Sequence, residues 1–115
     1  MDNVIVEKSF KFAVKIVRLV EKLRNNHVYE IASQLIRSGT SIGANVSEAQ
    51  YSQSKKDFAS KMHIALKEAN ETQYWLRLLA ETELIRSDEA KTLVGDTEEL
   101  KRILSAILKT AYQTK

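Results

Sequence analysis

Not one proline occurs in the 115 residues of this chain. Proline ends helices more reliably than any other residue, because its ring clashes with the preceding turn and its nitrogen carries no proton to donate. A chain without it is free to run long helices, and the apolar residues are spaced accordingly. Phe58, Met62, Ala65, Ala69, Thr72, Leu76 and Leu79 recur at alternating steps of four and three. That is the rhythm of one helix face; a strand would place them two apart. Leu93, Thr97, Leu100, Leu104, Ile107 and Ala111 repeat the rhythm, and Val28, Ile31, Leu35, Ser38, Ile42, Val46 and Ala49 keep it with smaller side chains. Near the start two seams run side by side: Val6, Phe10, Ala13, Val17 and Val20, and next to them Phe12, Ile16, Leu19 and Leu23.

The interruptions between these four patterns carry turn and cap chemistry. Asn25-Asn26-His27 is a triplet of poor helix formers, and Ser52-Gln53-Ser54 is a second break. Ser54 with Asp57 resembles a capping box, and Ser87 ahead of Asp88 and Glu89 reads as an N-cap followed by acids where the helix dipole favours them. The spacing therefore predicts helices near residues 4–24, 28–51, 55–84 and 88–112. Three short connections make successive helices antiparallel, which gives an all-α, up-down-up-down four-helix bundle as a single domain over residues 1–115. Gly39 and Gly43 make the second helix the weakest of the four, since each costs about 1 kcal/mol relative to alanine. Ser38-Gly39-Thr40-Ser41 is open to a loop reading. A continuous helix keeps the apolar phase through both glycines, and glycines four apart would let another helix approach closely.

Composition closes off several function classes. With no cysteine there is no disulfide framework, thiol chemistry or cysteine-ligated metal. The longest uncharged stretch, Ser38 to Ser47, is about half of the roughly 20 residues that cross a bilayer. The first residues lack the order of a signal peptide. The expected address is the cytoplasm, with no membrane partner. Phosphate-loop, dinucleotide, zinc-protease and hydrolase-elbow motifs are all absent from the sequence. The di-iron bundle motif Glu-x-x-His is missing too, because neither His27 nor His63 has an acid three residues before it. No catalytic residue, cofactor or metal site is expected.

Three features could carry function. Lys8, Lys11, Lys15, Arg18 and Lys22 are spaced three, four, three and four, and fall within about 80° of helix surface with no acid between them. Residues 1–26 hold six basic and three acidic residues, while the remainder is balanced at twelve of each. Such a stripe can follow a phosphate backbone; equally, it can be a solvated outer face that serves solubility. Gln34, Arg37, Ser41, Asn45 and Glu48 line a second face, with Glu68 and Glu71 at similar height on the next helix. They point to a polar network that fixes helix register or a subunit contact, the alternative being an acid/base or metal site. Finally, the double seam of the first helix is wider than one core requires, and Tyr74 and Trp75 point about 100° apart; both predict contact with a second subunit, the alternative for the aromatic pair being to stack on bases.

Residues 41–58, Ser-Ile-Gly-Ala-Asn-Val-Ser-Glu-Ala-Gln-Tyr-Ser-Gln-Ser-Lys-Lys-Asp-Phe, carry a resemblance to a known family. The pattern is Ser41-Ile42, Asn45-Val46, Glu48-Ala49, then Ser54, Asp57 and Phe58, then Ile64-Ala65 and Glu71. It resembles the bacterial four-helix bundle proteins first noticed as reading frames within intervening sequences of large-subunit ribosomal RNA genes. The chain departs from many members at Lys67-Glu68, where those have Gly-Ser. The resemblance implies a ring-like homopentamer. It also implies kinship with accessory proteins of reverse transcriptases in diversity-generating retroelements, which bind nucleic acid through basic surfaces. No catalytic residue carries over. The expected function is a non-enzymatic, homo-oligomeric accessory protein that binds structured nucleic acid, RNA above DNA, through the basic face of the first helix. The competing expectation is an interaction scaffold whose ligand is another protein, such as a reverse transcriptase.

Overall fold

The computed structural model describes residues 3–113. Four helices account for nearly all of them: α1 (Val4–Asn25), α2 (Glu30–Ala49), α3 (Lys55–Glu81) and α4 (Ser87–Gln113). No strand is present among the described residues. Each helix packs on the next in sequence and α1 also meets α4, so the four stand at the corners of a square in a rod of 49 × 20 × 20 Å. Cross-helix contacts fix the directions. Gly39 lies against Ile16 and Gly43 against Ser9, and Arg37 reaches Glu71 while Glu48 reaches Lys61. Rising numbers on one helix meet falling numbers on its neighbour, which is the antiparallel arrangement.

The core follows the expected seams in α2, α3 and α4, with Val28 (before α2) and Ile31 half-buried, as are Phe58 at the start of α3 and Ile107 and Ala111 at the end of α4. In α1 the core takes one of the two seams. Phe12, Ile16, Leu19 and Leu23 are buried together with Ile5 and Val20, whereas Phe10 is 68% exposed and Val17 49%. Four hydroxyl side chains sit in this core, at Ser9, Ser38, Thr72 and Thr97. Buried hydroxyls need partners, and the helix backbone supplies them. Thr72 donates to the Glu68 carbonyl at 2.7 Å and meets Ser38 Oγ at 2.9 Å; Thr97 donates to Val94 and Ser9 to Val6.

The helix ends explain where expectation and structure part. Ser54 does cap α3, accepting from the Asp57 amide at 3.0 Å. Ser87 is the first residue of α4 and not its cap. After α1 and α3 the chain turns through left-handed residues, His27 with φ 64° and Glu83 with φ 59°. The amides of Val28 and Leu84 reach back to the Leu23 and Leu79 carbonyls at 2.8 and 2.9 Å, the Schellman closure that glycine usually provides. With Glu83 in that conformation, α3 stops at Glu81 and not at the expected 84.

Helix α2 runs unbroken through both glycines, which removes the loop reading of Ser38–Ser41. A Cβ on Gly39 would stand 2.8 Å from Ile16 Cγ2, and one on Gly43 would stand 3.2 Å from the Ser9 carbonyl oxygen. The glycines are there because α1 passes that close. Gly95, by contrast, faces open solvent. Gly39→Ala is therefore expected to destabilise by about 1 kcal/mol, an overpacking cost of about 1–3 kcal/mol set against a propensity gain near 1. Gly95→Ala is expected to stabilise by about the propensity gain alone. Urea unfolding followed by circular dichroism checks both signs. Glu83→Gly, which relieves a left-handed side chain, is expected to stabilise by about 0.5–1 kcal/mol in the same assay.

Candidate functional site

The cationic stripe of α1 faces the flank of α4, and α4 answers it. Lys8 Nζ lies 3.2 Å from Glu99, Lys15 2.8 Å from Asp96 and Lys22 2.9 Å from Glu89. Lys11 pairs within its own helix with Glu7 at 2.9 Å, and that hydrogen bond lowers the Glu7 carboxyl from its ordinary value. Arg18 alone of the five has no ion pair. Of the adjacent pairs, α1 and α4 approach least closely, leaving a gap that long lysine stems bridge. The pairs stay wet: the lysine side chains are 42% to 69% exposed. Exposed pairs of this kind contribute little to stability and weaken with salt. Their larger effect is on the field, because a cation 3 Å from a carboxylate looks from a distance like a dipole.

The polar face of α2 divides into three pieces. Arg37 is the hub of the first, reaching Glu71 at 2.6 Å and Gln34 at 3.1 Å, with Glu68 at 3.8 Å. Glu71 also accepts from Trp75 Nε1 at 3.1 Å, so one carboxylate ties α2 to α3 and fixes the indole. Ser41 and Asn45 lie apart from this cluster. Ser41 donates to the Arg37 carbonyl and Asn45 to the Ser41 carbonyl, both bonds inside α2. Glu48 forms a separate pair with Lys61 at 2.9 Å, and this hydrogen bond raises the Lys61 ammonium above its ordinary value. The arrangement braces α2 against α3. No three side chains of His, Cys, Asp or Glu converge in a way that would hold a metal ion among the described residues.

Apolar and aromatic side chains also stand open to solvent. On α1, Phe10, Val14 and Val17 form a solvent-facing strip on the side toward α2. Beside it a groove of about 620 Å³ runs between the two helices, lined by Val6, Phe10, Ala13, Thr40, Gly43 and Ala44. Tyr74 is 60% exposed and stands edge-on to the half-buried Trp75, ring centroids 5.1 Å apart. Reading α1 by itself gave no sign of the neutralising acids. The signal for them lay in α4, where Glu89, Asp96 and Glu99 repeat at seven and three along one flank. No described helix is long and apolar enough to cross a membrane.

This geometry has relatives. No curated protein matches the chain. A solved structure from Bacteroides thetaiotaomicron VPI-5482, described as a protein of unknown function from the S23 ribosomal protein family, superposes with a TM-score of 0.90 at 46% identity, covering 91% of this chain and 98% of that one. The family model described as 23S rRNA-intervening sequence protein matches residues 1–106. The chain belongs to the 23S rRNA-intervening sequence protein family.

Proposed function

We propose that this protein is a non-enzymatic, self-assembling accessory protein, and that copies meet through the apolar strip of α1 and the groove beside α2. One observation carries the reading: Phe10, Val14 and Val17 stand in solvent on a helix whose opposite face already supplies the core. Phe10 is 68% exposed, and a cluster of large apolar groups on one face is the usual mark of an interface. The family resemblance makes a ring of five the expected product. Sedimentation or light scattering is expected to give a mass about five times the 13.1 kDa protomer. Phe10→Glu with Val17→Glu is expected to give a monomer with unchanged helix content. A wild-type monomer at high concentration would overturn the reading.

A second reading, that the assembled protein binds structured nucleic acid, with RNA preferred, is favoured by the net charge of +3 and by a family named for a ribosomal RNA insertion. In that reading the α1 stripe contributes through Arg18 and by exchanging α4 carboxylates for phosphates. Replacing Lys8, Lys11, Lys15, Arg18 and Lys22 by glutamine is expected to reduce the salt slope of RNA binding by about one to two units, since each phosphate contact contributes a little under one. An unchanged slope in a correctly assembled variant would remove α1 from the contact. Recovery of a protein partner after nuclease treatment, with no RNA affinity in the purified protein, would favour the scaffold reading instead.

A further inference from the structure

Apart from Arg18 and Arg24, the exposed cations of α1 are paired; most of the unpaired ones lie elsewhere. Lys56, Lys67 and Arg77 on α3 and Lys91, Arg102 and Lys109 on α4 are all exposed, and none of the six has an ion pair among the described residues. The three on α3 lie with Tyr74 on the solvent side of that helix, within about 80° of one another at 100° per residue. From Lys56 to Arg77 this face runs about 32 Å at 1.5 Å per residue. Lys101 joins the two helices, donating to Asn70 at 3.1 Å and to Gln73 at 2.8 Å, so their outer faces form one surface. Few acids face the same way. Two do: Glu98, which accepts from Gln73 and keeps its charge one turn before Arg102, and Glu81, one turn beyond Arg77. The α4 acids Glu89, Asp96 and Glu99 are turned to α1, so six cations face two acids.

Among these cations stands an aromatic ring held ready. Tyr74 is 60% exposed, between Lys67 and Arg77 and about one turn from Arg77, and is backed by Trp75 at an interplanar angle of 76°. Trp75 is itself pinned through Glu71 to Arg37. A ring fixed in this way loses little freedom on contact, and unpaired cations on either side of an exposed aromatic are what a single strand requires: phosphates go to the cations and an unstacked base to the ring. We infer that the outer face of α3 and α4 is the principal nucleic-acid contact of this protein, with Tyr74 as the platform for an unpaired base in the loop of a folded RNA. The inference rests on the nucleic-acid reading above and moves its main contact from the neutralised seam to the unpaired face.

The test is fluorescence anisotropy with three probes: an RNA hairpin with an unpaired loop, an RNA duplex without one, and heparin. Each is titrated at about 50 and 200 mM salt against the full chain and two variants. Lys56, Lys67, Arg77, Lys91, Arg102 and Lys109 to glutamine is expected to weaken hairpin binding by about 100-fold or more and to lower the salt slope by at least three units, more than the α1 variant does. Tyr74→Ala is expected to weaken hairpin binding about tenfold and leave duplex binding unchanged. The inference is overturned if the six-site variant binds the hairpin like wild type, if Tyr74→Ala has no effect, if heparin competes as well as the hairpin on a charge basis, or if either variant changes the sedimenting mass, which would make this face a subunit contact. A wild-type protein that binds neither RNA sinks the nucleic-acid reading itself, a different outcome from binding that ignores the six cations.

Discussion

The close approach of α1 to α2 at Gly39 and Gly43 sets the rotation of α1 and through it most of the surface. Ile16 lies in the space that a Gly39 side chain would fill, and the Ser9 backbone lies in that of Gly43. With Ser9 and Ile16 held there, the helix cannot turn about its axis without a clash. Phe12, Leu19 and Leu23 are then directed into the core, while Phe10, Val14 and Val17 are left outside. The same rotation carries Lys8, Lys15 and Lys22 to the flank of α4. Two hydrogens in place of two side chains thus decide which α1 residues make the core, which make an apolar surface and which are neutralised.

That dependence explains what could be read in advance. The number, length and order of the helices are local properties, carried by periodicity, the lack of proline and the polar breaks, so residues such as Met62, Leu76 and Leu104 fell where their spacing put them. The choice between the two seams of α1 is not local. Both have the right period, and only the contact with α2 separates them. Ser54 was legible as a cap because its side chain bonds its own helix. The left-handed turns at His27 and Glu83 were not, because the residue that normally signals them, glycine, is missing at both.

Charge was the least legible property. Counting along α1 gives a stripe of five cations, and the count is correct. It omits the partner across the groove, whose identity depends on the rotation of two helices at once. The polar face of α2 shows the same limit: Arg37 and Glu71 do meet, but Ser41 and Asn45 turn back to their own backbone and Glu48 finds Lys61. Conversely, Lys56, Lys67 and Arg77 are eleven and ten residues apart, too sparse to read as a run, and become a surface only when α4 lies beside them.

The square arrangement gives these surfaces a geometric relation. The α1–α2 side, which carries the exposed Phe10 and Val17, is opposite the α3–α4 side, which carries the unpaired cations. Contacts made through the first side need not cover the second. Across a rod about 20 Å thick, with screening lengths near 8–10 Å at ordinary salt, cations on one side hardly repel apolar contact on the other. The α1–α4 seam between them is paired except at Arg18, so it adds little repulsion. Placing the unpaired charge opposite the apolar strip would let the assembly proposed above form by hydrophobic contact while the positive field stays facing outward.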